Sequence, residues 1–157
     1  MKYTYSKKIV LFLLAFILFL FIEMEISPAD ASTPVATVKK VNGSVTVVRQ
    51  GKTIQAINGL EIWEKDTLQT GRNGSIGIVF SDDTFLSMGP GSILTIDEFV
   101  FAPRQGKFSI VIRMLKGTAA YLSGLISRLS PEAAYFKTPT ASIGIRGTRF
   151  LIKVEGE

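Results

Sequence analysis

Short runs of alternating apolar and polar residues, separated by turns rich in Gly, Asn or Asp, restrict the folds open to this chain. In the clearest run, Phe108, Ile110, Ile112 and Met114 recur at every second position, which predicts a half-buried β-strand. Turn signals recur about every 8 residues after residue 32. The pattern predicts an all-β domain of many short strands, arranged as a compact sandwich or as a short β-solenoid.

The residues at the turns allow individual connections to be placed. Asn42 and Gly43 lie between two β-rich runs and predict a two-residue hairpin, because a type I′ turn requires positive φ at both central positions. A strand break is expected at Gly117, and residues 97–106 are expected to form a longer connection. Residues 124–134 carry Leu and Ile at helical spacing, so either one short helix or a further turn is expected there.

Residues 1–31 have the three features of a secretory signal peptide. Three lysines precede an unbroken apolar run over residues 9–22, and Ala29 and Ala31 supply the small residues required for cleavage after Ala31. A bilayer span needs about 20 apolar residues, so the run is short for a membrane anchor; an uncleaved anchor is the alternative. We expect a cleavable signal helix, a periplasmic or secreted product, and a mature domain over residues 32–157.

The composition excludes several kinds of catalytic chemistry. The chain contains no cysteine and no histidine, so a disulfide, a thiolate nucleophile, a Ser-His-Asp triad and a His-containing zinc site are all ruled out. Asp82 and Asp83 are adjacent, so on a strand they would point to opposite faces, and turn formation is the better interpretation. We expect a non-enzymatic protein with no catalytic residue, no metal and no cofactor.

The charge gives little indication of a partner. The net charge is +5, and the basic residues are spread along the chain, whereas a nucleic-acid surface would cluster them and interleave aromatic residues. We therefore expect a basic, solvated surface and no nucleic-acid partner. Weak attraction to anionic polymers of the cell envelope is compatible with this charge.

The stretch from Phe136 to Phe150 is expected to close the β-domain. Pro139 restricts Thr138 to extended geometry, and Gly147 permits a positive φ or a bulge. Arg146 either grips a carboxylate or phosphate through its planar guanidinium, or donates to carbonyls inside the fold, which is the favoured interpretation.

Three segments of the chain resemble the FecR protein domain. The first runs from Asn42-Gly43 to Thr70-Gly71, and the second covers residues 77–96, with Asp82-Asp83-Thr84 where the family typically has Asp-Gly-Ser or Asp-Gly-Thr. The third is the most specific: Thr-Pro, small residues, then Arg-Gly-Thr-x-Phe. The motif residues are Asp82, Asp83, Thr138, Pro139, Arg146, Gly147, Thr148 and Phe150.

The resemblance implies an exported, mostly periplasmic all-β module. In the family archetype this module belongs to a single-pass regulator that relays the state of an outer-membrane iron transporter to a cytoplasmic sigma factor. Here only eight residues precede the apolar run, no second periplasmic domain follows, and Asp83 replaces the family glycine. Direct control of a sigma factor is therefore not expected.

Two functional hypotheses of different classes follow. In the first, the chain is a signalling module that binds a protein or an envelope polymer, and the last strand, residues 150–154, offers an edge to which a partner strand can be added. In the second, the chain is a structural envelope component that self-associates through the same edge. A gene model that stops before the last strand of the family is an alternative explanation of that edge.

Overall fold

The computed structural model describes residues 33–147 and 149–156. The predicted signal peptide, its cleavage site at Ala31 and the motif residue Thr148 lie outside the described residues. No helix in the described ranges is long and apolar enough to cross a membrane. The strands are β1 Ala36–Asn42, β2 Val45–Arg49, β3 Lys52–Gln55, β4 Glu61–Ile62, β5 Thr67–Thr70, β6 Ser75–Phe80, β7 Phe85–Met88, β8 Ile93–Ala102, β9 Lys107–Leu122, β10 Ala134–Lys137, β11 Ser142–Gly144 and β12 Arg149–Val154.

These strands form one curled sheet whose two halves share β9. Half I contains β3, β2, β5, β8, the first part of β9, β10 and β11, and half II contains β4, β1, β6, β7, the second part of β9 and β12. All the pairs between described strands are antiparallel except that of β10 with β9. This pairing confirms the all-β prediction and favours the sandwich over a solenoid of parallel coils.

Buried residues from both halves form one apolar core. The alternation of Ile76, Ile78 and Phe80 in β6 places all three side chains inside, as their period of two requires. Phe80 of half II stacks on Phe99 of half I with ring centroids 5.3 Å apart. The two halves are therefore held together by the side chains that the alternating pattern points inward.

The expected strand break at Gly117 is instead a bend inside β9. Gly117 has φ +99°, a conformation that β-carbon-bearing residues rarely adopt. A β-carbon there would lie 2.1 Å from Ser92 Oγ. On one side of the bend Lys116 pairs with β8, and on the other Ala119 pairs with β7. The glycine thus lets one strand pass from half I to half II.

The Asn42-Gly43 hairpin prediction is wrong. β1 pairs with β4 and β6, whereas β2 pairs with β3 and β5, so this dipeptide connects two strands that are not neighbours. Gly43 does have positive φ, at +64°, but its role is close packing, since a β-carbon would lie 2.1 Å from the Asn73 carbonyl oxygen. A local turn signal identified the conformation and not the pairing.

Residues 97–106 are mostly strand, contrary to the predicted long connection. β8 continues to Ala102, and a 3-10 turn then covers Pro103–Gln105. The pairing of β8 with β9 shifts register between Ile96 and Glu98, so the period of two is interrupted although the strand is not. This irregularity explains why the alternation of apolar and polar residues in the sequence stops near Ile96 although the strand continues.

The ambiguous segment at residues 124–134 contains one short α-helix, α1, Ile126–Leu129, followed by a 3-10 turn at Pro131–Ala133. Ile126 is fully buried and Leu129 is exposed. The helix is a single turn and could not be stable alone. It is anchored by hydrogen bonds that Leu125 N and Ile126 N donate to Asp82 in the β6–β7 turn.

Candidate functional site

Asp82 is a buried carboxylate that joins the β6–β7 turn to α1. It accepts hydrogen bonds from Thr84 N at 3.1 Å, from Thr84 Oγ1 at 2.9 Å and from Ile126 N at 3.1 Å. Its backbone carbonyl accepts a further bond from Leu125 N at 2.7 Å. The turn role predicted for Asp82 is present, and the same side chain also satisfies the first amide of the helix.

Asp83 differs from Asp82 in both its burial and its backbone conformation. It is exposed, and its backbone has φ +65°, the left-handed region that Gly adopts freely and Asp tolerates. This is the position at which the FecR pattern has glycine. The adjacent aspartates therefore do not form a carboxylate pair, and no three Asp or Glu side chains within residues 33–147 and 149–156 gather into a set that could hold a metal ion.

Two hydroxyls lie buried beside the Asp82 turn. Tyr121 Oη and Ser127 Oγ have no hydrogen-bond partner of ordinary geometry among the described residues. Burial raises the pKa of Tyr121 above its usual value, and the nearby hydroxyls of Thr84 and Ser127 partly oppose this effect. A buried phenol with a raised pKa stays neutral at physiological pH, so it supplies packing and no charge.

Thr138 and Pro139 form the turn between β10 and β11. Thr138 Oγ1 accepts a hydrogen bond from Ala141 N at 3.0 Å, and Thr138 N donates to the Ala141 carbonyl at 2.8 Å. β10 ends at Lys137, close to the predicted end of the extended segment. Pro139 is exposed at the tip, so this dipeptide shapes a turn on the surface.

Arg146 and Gly147 lie on the surface before β12. Gly147 has φ +56°, as the sequence predicted, and a β-carbon there would meet no atom within 4 Å. Arg146 is exposed, and its positive charge is a minor contributor to the lowered pKa of Glu132, which comes mainly from a hydrogen bond with Ser130. Among the described residues no hydrogen bond joins the Arg146 side chain to a carbonyl, so its structural role stays a prediction.

Phe150 anchors the last strand to the core. Its ring stacks on Tyr121 of β9 at 5.1 Å and meets Phe136 of β10 edge-on at 5.6 Å. Phe136 is fully buried. The phenylalanine that ends the FecR motif therefore connects three strands, and each aromatic contact adds about 0.5–1.5 kcal/mol to the gain from burying the rings.

β12 is paired along one edge alone within the described residues. Its partner is β9, in a register that sets Leu151 opposite Ala120. Phe150, Ile152 and Val154 pack against the core, and the intervening side chains point to solvent. Leu151 is 80% exposed, more than any other large apolar side chain described. No described strand pairs with the other edge of β12, which lies beside the exposed leucine.

Small residues extend from Leu151 across the outer face of half II, the side that points to solvent. The strand registers align Leu151 with Ala120, Ser87 and Gly77 in one row across four strands. These residues form the floor of a groove of about 770 Å³, which Lys40 and Lys153 also line. The Phe85 ring lies beside Gly77, 3.4 Å from where a β-carbon would be.

The sequence patterns did not identify this outer face as a site. The row depends on how four strands that are distant in sequence pair with one another. The available signal was the set of small residues at outward positions, Gly77, Ser87 and Ala120. Without the pairing, nothing placed these residues beside one another or beside Leu151.

Comparison with known proteins identifies one family. The profile described as FecR protein matches residues 66–157, which is more than half of the chain. The match includes the Asp82 turn, the bend in β9 and the entire segment that ends in β12. No curated protein and no solved structure matches the chain significantly.

Proposed function

The chain belongs to the FecR protein family, and from that premise we propose that it is an exported, non-catalytic module that binds a protein or envelope partner in cell-surface signalling. FecR domains are associated with cell-surface signalling regulators, and the family is generally non-enzymatic. Binding by contact fits a chain without histidine or cysteine, because the commonest general base and the thiolate nucleophile are both absent.

The observation that carries this proposal is the open edge of β12. Six residues of strand, Arg149–Val154, are fixed on one side by pairing with β9, and no described strand pairs with the other edge. Addition of a strand to such an edge is a common form of protein recognition, in which backbone hydrogen bonds supply affinity and alternate side chains supply specificity.

Other edges of the sheet support this role less well. β4 has two residues, β11 has three and β3 has four, and β3 carries mostly polar side chains. β12 is longer and displays Leu151 at 80% exposure. Exposed apolar side chains on a long edge strand mark an interaction site or an aggregation risk.

The alternative function is a structural envelope component that self-associates through the same edge. It uses the same exposed backbone groups, so the two functions differ in the identity of the added strand. Both place the domain in the periplasm or outside the cell, as the predicted signal peptide requires, and membrane attachment then depends on whether residues 1–31 are retained.

Site-specific photo-crosslinking in cells tests the proposal. A photoreactive phenylalanine analogue is placed at Leu151, and in a matched variant at Ile57, which is 63% exposed and lies outside the strands. We expect the Leu151 variant to crosslink to a different protein, identified by mass spectrometry, while the Ile57 variant does not.

Each other outcome has a definite meaning. A product of twice the chain mass, containing this sequence alone, would replace the proposal with the self-association alternative. Equal crosslinking at both positions, or none at either, would contradict recognition at the β12 edge.

A further inference from the structure

We infer that the partner contributes an extended segment in which two acidic residues flank three apolar ones, and that this segment pairs with β12. The inference rests on the proposed function, and it adds the chemistry of the partner. It is drawn from the side chains that β12 presents on each face and from the register that any added strand must adopt.

The alternation of β12 sets the first requirement. Arg149, Leu151 and Lys153 point outward, and the residues between them pack against the core. An added strand places each residue beside a β12 residue on the same face, since side chains alternate with a period of two. Positions beside Phe150 and Ile152 must therefore be apolar, because they extend the edge of the core.

The outward face sets the second requirement. A residue beside Leu151 gains by covering an apolar surface that is 80% exposed. Residues beside Arg149 and Lys153 meet positive charges, and oppositely charged pairs across strands are favourable whereas like charges are not. The partner sequence that satisfies both faces is acidic, apolar, apolar, apolar, acidic.

The same charges disfavour a second copy of this chain. If two β12 strands pair with Leu151 beside Leu151, Arg149 of each copy lies beside Lys153 of the other, so like charges face each other twice. If the two strands pair with Ile152 beside Ile152, Leu151 of each copy lies beside Lys153 of the other and loses the apolar contact. No register of β12 on itself satisfies the charges and covers Leu151 together.

The groove next to the edge reinforces the sign of the charge. Lys40 lines it at one side and Lys153 at the other, and the only acidic side chain paired with Lys153 in the described residues is Glu155, at 3.2 Å and largely exposed. Such an exposed ion pair is weak because water screens both charges, so a partner carboxylate can replace Glu155 at little cost.

Fluorescence anisotropy with labelled peptides tests the inference on the full chain. The probe is Ser-Thr-Glu-Val-Leu-Val-Glu-Thr-Ser, and its control carries Lys at both Glu positions. We expect the acidic peptide to bind about tenfold more tightly than the lysine peptide, since two charge pairs change from attractive to repulsive. An acidic peptide with N-methylated backbone amides should not bind, because it cannot pair as a strand.

Charge reversal locates the contact. Lys153→Glu should remove the preference, because each peptide then forms one attractive and one repulsive charge pair with β12. Lys52→Glu replaces an exposed lysine on another edge strand, β3, and should leave the preference unchanged. These variants change surface side chains alone, so both should fold like the parent protein.

The inference is overturned if neither peptide binds, if both bind equally, or if Lys153→Glu leaves the preference unchanged. Crosslinking of Leu151 to another protein would separate the two proposals, because it would support the proposed function even where the acidic peptide fails. The acidic pattern would then be wrong, and recognition at the β12 edge would stand.

Discussion

At the scale of single residues, two adjacent aspartates with opposite environments offer the sharpest comparison. Asp82 is fully buried and accepts three hydrogen bonds, whereas Asp83 is exposed with φ +65°. Asp82→Asn replaces an acceptor oxygen with a donor and leaves a buried amide unpaired. We predict a loss of about 2–4 kcal/mol in the free energy of unfolding, measured by chemical denaturation.

Asp83→Asn is the matched control for that substitution. Asn tolerates the left-handed region at least as well as Asp, and the side chain contacts solvent, so the expected change is within about 0.5 kcal/mol. Equal losses from both substitutions would contradict the account of the turn, because they would mean that the carboxylate of Asp82 is not the link to α1.

Tyr121 separates the contribution of a ring from that of its hydroxyl. The ring stacks on Phe150, but the hydroxyl is buried without a partner among the described residues. Tyr121→Phe removes a desolvated polar group and should leave the free energy of unfolding unchanged or raise it by up to about 1 kcal/mol. Tyr121→Ala should lower it by about 3–5 kcal/mol.

The raised pKa of Tyr121 also predicts a pH dependence. Burial keeps the phenol protonated in the folded state at pH values where the unfolded chain ionises, so the folded state binds more protons there and stability falls as pH rises above about 10. Denaturation curves measured on both sides of that pH should show a smaller fall for Tyr121→Phe than for the parent protein. An equal fall in the two proteins would contradict the buried position of the hydroxyl.

The sequence predicted those properties of single residues that depend on their neighbours along the chain, and it did not predict contacts between residues distant in sequence. The turn chemistry of Asp82 and the positive φ of Gly147 were predicted, because both are local properties of a few residues. The bond from Ile126 N to Asp82 joins residues 44 positions apart, and the exposure of Arg146 depends on neighbouring strands. Neither has a local signal.

At the scale of elements, the bend in β9 joins the two halves of the sheet. Gly117 combines φ +99° with a β-carbon position 2.1 Å from Ser92 Oγ and 2.5 Å from Ser92 Cα. Gly117→Ala therefore requires both a strained backbone and movement of the β8 start. We predict a loss of more than about 3 kcal/mol in the free energy of unfolding, measured by thermal or chemical denaturation.

Gly51→Ala isolates the backbone contribution. Gly51 has φ +76° in the β2–β3 turn, and a β-carbon there would meet no atom within 4 Å. The expected loss is about 1 kcal/mol, from the left-handed conformation alone. If the two alanine variants have the same stability, the close approach of Gly117 to Ser92 does not constrain the bend.

Elements were predicted well where periodicity was unbroken and poorly where pairing decided the outcome. The alternation in β6, in the first part of β9 and in β12 identified those strands and their inward faces. Because the register shift in β8 interrupts the alternation, residues 97–102 were predicted as a connection although they form strand. Because Gly117 bends β9, one strand was predicted as two. Asn42-Gly43 has the composition of a hairpin turn, but its flanking strands find other neighbours in the sheet.

At the scale of the whole molecule, the sequence was sufficient to predict the fold class and the family, but not the proposed binding surface. The all-β class follows from the pattern of alternation, and membership of the FecR family follows from the motif that ends in Phe150. The row from Gly77 to Leu151 requires the registers of three strand pairs together. Prediction from one chain supplies no such pairing, so the outer face was not anticipated.

The positive charges on β12 lead to a prediction about oligomeric state. Because Arg149 and Lys153 oppose each other when Leu151 is self-paired, we predict that the full chain stays monomeric as its concentration is raised. Size-exclusion chromatography with light scattering checks this, and Lys153→Glu should increase association, since the opposing charges become complementary. Concentration-dependent oligomers of the parent protein would favour the structural alternative.

Export of the protein is a further prediction that concerns the whole molecule. The signal-peptide pattern predicts that the secreted protein begins at Ser32, which N-terminal sequencing of the purified product checks. A sequence that begins at Met1 would mean that the apolar run is retained as an anchor, and the domain would then act at the membrane surface.

The most direct test of the central claim, that β12 is held along one edge and open along the other, is residue-resolved amide hydrogen exchange of the full chain by nuclear magnetic resonance. In an antiparallel edge strand, successive amides point alternately toward the neighbour and away from it. We predict that amides between residues 149 and 154 alternate between slow exchange, where they bond to β9, and fast exchange, where they face solvent. Slow exchange at every one of these amides would show that the edge is already covered, and fast exchange at all of them would show that β12 is not paired with β9.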